Sequence, residues 1–308
     1  PRELASVTPR LSLRLRALST DAVVGFGVVV GTVLLERIET SDTVLIIGHR
    51  GSAGAKPENT VAAIRQAVED GADWVEIDVQ ETADGEVIVM HDSDFMKLAG
   101  VNIKVWDATM PDLTDIDIGS WFDPQYSDQR TPTLAEVLEI TRDRSRLLIE
   151  LKYYGHDIAL EQRVVDIVEA AGMQDQIATM SLKYPAVQKM KALQPDWPSG
   201  VLAATSVGDL TRLEGDFLAV SAAQATTRMV RHANAANKEL LVWTVNDPVQ
   251  MSAMITLGVD GLITDEPALA RRVLDQRADL NIAEKMALFI ASRLGLKLNT
   301  GAYRDASP

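Results

Sequence analysis

The sequence predicts a (β/α)8 barrel, an α/β fold carrying a small insertion after its second strand region. Two observations lead there. From Thr43 onward short apolar runs alternate with segments of helical periodicity, and eight of those runs read as parallel-type strands. Charged and imidazole side chains then recur at the C-terminal ends of these runs, the end where barrel enzymes place their chemistry. The 308 residues, 46% of them hydrophobic, suffice for one such domain with a sizeable core.

Val44–Gly48 reads as the first strand and Asn59–Asp70 as the helix after it, with Asn59 as its cap and Gly71 as its stop. Trp74–Gln80 and Glu86–His91 are extended and joined through Asp84-Gly85, a hairpin signal. Ser93–Arg130 is dense in Asp, Gly and Pro and reads as an inserted loop region. Thr133–Arg142 is helical, with Thr133 as N-cap and Glu136 completing a capping box. Further strands are expected at Arg146–Lys152, Gln176–Ser181, Pro198–Ala203, Phe217–Val220, Glu239–Val245 and Gly261–Thr264. The helices expected among them are Ile158–Ala171, Pro185–Leu193, Val207–Leu213, Thr227–Ala236, Pro248–Leu257 and Pro267–Asp275. The barrel domain thus covers 43–276. In the remainder, 277–308, Asn281–Lys297 forms an amphipathic helix with Ile282, Met286, Phe289, Ile290 and Leu294 on one face, suited to packing on the barrel or a partner.

The segment 1–42 has a different character. Arg10, Arg14 and Arg16 precede an uncharged apolar run, Ala22–Leu35, and acidic residues follow it. The run is shorter than the roughly 20 residues a spanning helix needs. It reads either as a helix packed on the barrel or as the remnant of a transmembrane helix, with the arginines cytoplasmic and the main domain extracytoplasmic. The alternative location is the cytoplasm. A net charge of −14 argues against nucleic acid as a partner, and the absence of cysteine excludes thiolate sites and a cysteine nucleophile.

Glu76 and Asp78 alternate along the second strand and therefore share one side, and Glu150 ends the third barrel strand. Three converging carboxylates repel one another unless a cation joins them. All-oxygen ligation suits Mg²⁺ or Ca²⁺, with Mn²⁺ also admissible. His49 and His91 stand at strand ends beside this cluster and can serve as acid and base. Arg50 and Lys152 supply positive charge for a phosphodiester; the plainer reading of Arg50 is a rim salt bridge to Glu58 or Asp92. Trp243 suits either substrate packing or ordinary core, whereas His156 and His232 read as structural. Gly51 and Gly54 are expected to allow a tight turn or close backbone approach.

Gly48-His49-Arg50-Gly51 with Pro57-Glu58-Asn59-Thr60 resembles the opening motif of the glycerophosphodiester phosphodiesterase family. Glu76-Ile77-Asp78-Val79, Asp84-Gly85, His91-Asp92, Glu150-Leu151-Lys152, Val242 to Asn246 and Thr264-Asp265 are similar to its later blocks, in family order. The resemblance implies a barrel with metal ligands at Glu76, Asp78 and Glu150 and a catalytic pair at His49 and His91. It implies hydrolysis of small-molecule glycerophosphodiesters to glycerol 3-phosphate and an alcohol. Ile118 to Phe122 and Lys152 to Asp157 further resemble the branch whose catalytic domain follows a membrane domain, which implies a membrane tether. Two rivals remain: the same chemistry on a lysophospholipid or polyglycerophosphate, and a non-catalytic phosphodiester-binding module.

Overall fold

The computed structural model describes residues 43–156, 158–205 and 208–296. The apolar run Ala22–Leu35 and its expected helix lie outside them. In order, the described elements begin with β1 (Leu45–Gly48), α1 (Val61–Glu69), β2 (Trp74–Glu81) and β3 (Val87–Val89). An excursion follows with β4 (Asp94–Phe95), α2 (Met96–Ala99), β5 (Val101–Lys104) and α3 (Met110–Leu113). The chain returns through α4 (Leu134–Thr141), β6 (Arg146–Leu151), α5 (Leu160–Ala171), β7 (Ile177–Ser181) and α6 (Tyr184–Leu193). It ends with β8 (Ser199–Ala203), β9 (Phe217–Ser221), α7 (Thr227–Ala235), β10 (Glu239–Trp243), α8 (Pro248–Leu257), β11 (Gly261–Thr264), α9 (Pro267–Ala278) and α10 (Ile282–Arg293).

Strands β1, β2 and β6 to β11 pair in parallel, and β1 bonds to both β2 and β11. That closure makes the (β/α)8 barrel, with β3 attached antiparallel to β2. Alternation along each strand sends one set of side chains inward and the other toward the helices. The inward set forms an apolar belt of Ile47, Leu148, Ala178, Met180, Leu202, Phe217, Ala219, Leu241 and Ile263. Gly200 belongs to this packing: a Cβ there would stand 2.0 Å from the Phe217 ring, so the ring occupies the space a side chain would need. The outward set, including Val75, Ile77 and Val79 of β2, joins the helices in larger clusters.

Differences from the expected elements have local causes. Thr60, and not Asn59, caps α1 by accepting from the Ala63 N–H, because Asn59 is occupied elsewhere. The expected helix at Val207–Leu213 reduces, among its described residues, to one 3₁₀ turn at Leu210–Arg212. There the Asp209 carboxylate takes both the N–H and the hydroxyl of Thr211, a local bond that competes with helix. Ser93–Arg130 is no bare loop. Phe95, Leu98, Val105, Leu113, Ile116 and Ile118 bury a small core against Ile88 and Met90. The C-terminal helix α10 is shorter than expected, starts with an Asn281–Glu284 capping box, and packs on α8 through residues that include Phe289. Among the described residues no helix is long and apolar enough to cross a membrane.

Candidate active site

The inward register that builds the apolar belt continues past it to the C-terminal mouth. Above Trp74, β2 carries Glu76, Asp78 and Gln80 on the same side. Asp78 is the register partner of Glu150 on β6, so parallel pairing sets their side chains together. The result is a buried cluster in which Glu76, Asp78 and Glu150 each present an oxygen within 4.8 Å of the others.

Two cations and one amide crowd this cluster. Lys152 Nζ lies 3.0 Å from Glu150 Oε1 and 3.5 Å from Asp78 Oδ1. Arg50 is buried, with Nη1 at 2.8 Å from Glu58 Oε1 and Nε at 3.3 Å from Asp78 Oδ2. The expected bridge to Glu58 is therefore present, but inside the site and not on its rim. The Arg50 backbone N–H also donates to Glu76 Oε2 at 2.8 Å. This needs Arg50 in the left-handed region, φ 50°, and Asn59 joins it there at φ 55°. Gly51 follows at φ 88°, and a Cβ on it would meet the Ala63 backbone at 2.5 Å. The tight turn is thus real, and it presses the β1–α1 loop onto the carboxylates.

Each expected histidine is held through Nδ1 by a carboxylate. His49 Nδ1 lies 2.7 Å from Asp265 Oδ1, and His91 Nδ1 lies 2.7 Å from Asp92 Oδ1. That engagement leaves Nε2 of each ring as the nitrogen open to a ligand. Trp243 sits at the upper edge of the apolar belt, partly exposed. Its indole N–H has no hydrogen-bond partner among the described residues.

Electrostatics separate these groups. Burial opposes charge on His49, but the charge and hydrogen bond of Asp265, joined by Glu76, together outweigh it and the imidazole is pushed up to about 9. Burial and then Asp78 push Glu76 up to about 8. Glu150 is also raised by burial, despite Lys152. Burial acts against Asp78 as well, yet Lys152 and Arg50 hold it well below the usual carboxylate range. Buried beside Asp78 and Glu150, Glu76 therefore takes up a proton near neutrality. A hard divalent cation would replace that proton, and the all-oxygen donor set fits one.

Four residues at the site had no catalytic or supporting role assigned from sequence. Asp265 holds His49 and is itself bound by Asn246 Nδ2, while Asn246 Oδ1 accepts from the Asp265 N–H at 2.9 Å. Asn59 Nδ2 donates to Asp78 Oδ2 at 2.8 Å, which orients a cluster carboxylate. Gln80 donates to the carbonyls of Met90 and Asp92, both at 2.7 Å, and fixes the turn that carries His91. The available signals were the Asn246 and Thr264-Asp265 blocks and the period of two running from Glu76 to Gln80.

The profile of the Glycerophosphoryl diester phosphodiesterase family matches residues 49–269. The chain belongs to that family. A putative glycerophosphodiester phosphodiesterase, YhdW, of Bacillus subtilis is 31% identical over 229 residues, covering 72% of this chain and 94% of the relative. A glycerophosphodiester phosphodiesterase of Caldanaerobacter subterraneus is 30% identical, with 72% and 94% covered. Among solved structures, an Oleispira antarctica phosphodiesterase in complex with the product sn-glycerol-3-phosphate superposes with a TM-score of 0.70 at 27% identity. It covers 76% of this chain and 97% of its own. As a member of the glycerophosphoryl diester phosphodiesterase family, the chain is a phosphoric diester hydrolase.

Proposed function

We propose that this protein hydrolyses glycerophosphodiesters to glycerol 3-phosphate and an alcohol, using a divalent cation at Glu76, Asp78 and Glu150. The observation that carries this reading is the buried carboxylate triad flanked by two histidines, each anchored through Nδ1. Mg²⁺, Ca²⁺ or Mn²⁺ held by these three carboxylates would supply Lewis acidity. Arg50 and Lys152 add positive charge beside it, and Trp243 offers an apolar wall to the glycerol.

His49, raised by Asp265, carries a proton at neutral pH and donates it to the departing alkoxide. His91 accepts the proton of the attacking glycerol hydroxyl. The new P–O bond closes a cyclic phosphate as the bond to the alcohol breaks. Water then opens the ring with the two histidines exchanging roles. Glycerophosphocholine and glycerophosphoglycerol, assayed with and without chelator, test the reading. Glycerol 3-phosphate should form only when the cation is present. No product from either diester with any of the three cations points instead to a binding module, and chelator-resistant turnover rejects the metal mechanism.

The arginine-flanked apolar run Ala22–Leu35 supports a membrane tether with the barrel on the extracytoplasmic side. Fractionation of the complete gene product, with protease access from either side, tests it; recovery of the protein in the soluble fraction rejects the tether.

A further inference from the structure

One group of aromatic side chains beside His91 has no part in the chemistry above. The Tyr154 hydroxyl donates to the His91 carbonyl at 2.7 Å and lies in the field of Lys152, Asp92, Asp78 and Glu150, so its ring stands at the edge of the site. Trp106 follows, its ring centroid 6.3 Å from that of Tyr154. His156 then stacks on Trp106 at 4.1 Å with the planes only 12° apart. Tyr154 and His156 are exposed and Trp106 is partly so, and contiguous apolar surface at the edge of a site is a feature of ligand grooves.

The shelf comes from two chain segments, and both are pinned. Trp106 lies in a 3₁₀ turn, Val105–Asp107, whose Val105 is buried in the core of the excursion. Backbone bonds tie that turn to Ser93 on one side and to Ala83 of the β2–β3 hairpin, through Ala108, on the other. Past His156, the N–H groups of Ile158 and Ala159 both donate to the buried Glu81 carboxylate at the end of β2. Such anchoring pre-organises a contact surface, so a ligand need not order it on binding.

Its charge pattern selects against a cation. Lys104 Nζ already sits 5.6 Å from the centre of the Trp106 ring, and His156 covers a face of it. Asp94 is engaged by Lys104 and Asp92 by His91 and Lys97, while Asp107 beside Trp106 is exposed to water. A quaternary ammonium group wants an open aromatic face. An uncharged hydrocarbon arm gains by covering whatever carbon surface is exposed. From the Tyr154 ring the shelf continues 6.3 Å to Trp106 and a further 4.1 Å to His156, centroid to centroid. Resting on the phosphodiesterase reading, we propose that Tyr154, Trp106 and His156 form a subsite for an apolar arm of the diester that extends past His91. That arm is either an acyl chain on the glycerol or the hydrocarbon of the leaving alcohol.

Three soluble diesters separate these sources: glycerophosphomethanol, glycerophosphohexanol, and 1-hexanoyl-glycerophosphomethanol. The parent protein should prefer one of the two hexyl-bearing substrates over glycerophosphomethanol by about tenfold or more in kcat/KM, the scale of a few methylenes finding an apolar surface. Which one it prefers identifies the arm. Trp106→Ala should erase most of that preference while lowering turnover of glycerophosphomethanol far less. His156→Ala, at an exposed loop position, is the second variant and should act in the same direction; circular dichroism melting checks that both fold. Cleavage of glycerophosphomethanol without preference for either longer substrate overturns the subsite, as does a preference that survives both substitutions. An equal loss on all three diesters makes the shelf structural and likewise overturns it. Failure to cleave any of the three rejects the parent reading as well.

Discussion

The two levels of the barrel interior share the same strands and the same inward register, yet they differ in nearly every physical respect. At mid-height Ile47, Leu148, Leu202, Phe217, Leu241 and Ile263 fill the space with hydrocarbon. One inward step higher, β1, β6 and β10 present His49, Glu150 and Trp243, and β2 adds Glu76 and Asp78. The lower level stabilises the fold by burying apolar surface. The upper level buries charges that repel, and Glu76 shows the cost by holding a proton near neutrality. At the opposite mouth a cavity of ≈ 680 Å³ opens among Trp74, Trp197 and Phe217, and none of the proposed catalytic or metal-binding residues lines it. The alternation runs into polar residues at both mouths, as Arg146 and Glu239 show at this one, but among the described residues only the C-terminal mouth brings three buried carboxylates together.

The largest effects are expected at the two histidines. His49→Ala and His91→Ala should each lower kcat by roughly 10²–10⁴ with the melting curve nearly unchanged, since neither ring belongs to the apolar belt. Gly200→Ala should do the reverse. Its new methyl collides with Phe217, so stability falls by about 1–3 kcal/mol in a denaturant titration while kcat stays near that of the parent.

Asp265→Asn tests the support of His49. If His49 is the acid, as proposed, the high-pH limb of the kcat profile reports loss of its proton, and Asp265 raises that pKa against the effect of burial. Removing the negative charge should therefore move the limb to lower pH by roughly one to two units. A limb that stays in place would assign the acid to another group. The smallest effect is expected from Glu76→Gln in cation-free protein. The folded pKa of Glu76, about 8, lies above the unfolded carboxylate value. Its stabilising contribution is thus complete below about pH 4.5 and is lost as pH rises through about 8. The variant should melt like the parent in acid and a few degrees above it in alkaline buffer, and added cation should no longer raise its Tm.

Much of this was legible in the sequence because it depends on short-range pattern. The period of two put Glu76 with Asp78, and the strand ends put His49 and Glu150 at one mouth. What stayed hidden depends on distance in the chain. Asp265 meets His49 across 216 positions, and no local periodicity encodes that contact. Asn59 carried a strong capping signal, yet Asp78 claimed its side chain and Thr60 capped the helix. The core of the excursion was masked by its turn residues, among which Phe95, Leu98 and Val105 are too scattered to show a period. His156, read as an isolated structural histidine, gained its ring partner only when two loops converged.

The two histidine–carboxylate pairs also differ in when they can form. His91 and Asp92 are adjacent, so their pair is available as soon as the β2–β3 hairpin turns. His49 and Asp265 belong to the ends of the first and last barrel strands, and they meet only when β1 pairs with β11. Contacts so far apart in the chain are slow to form because a large loop must close first. The His49 imidazole is therefore a built-in reporter of ring closure: during refolding its titration should shift late, together with the return of activity, after the hairpin has already settled around His91.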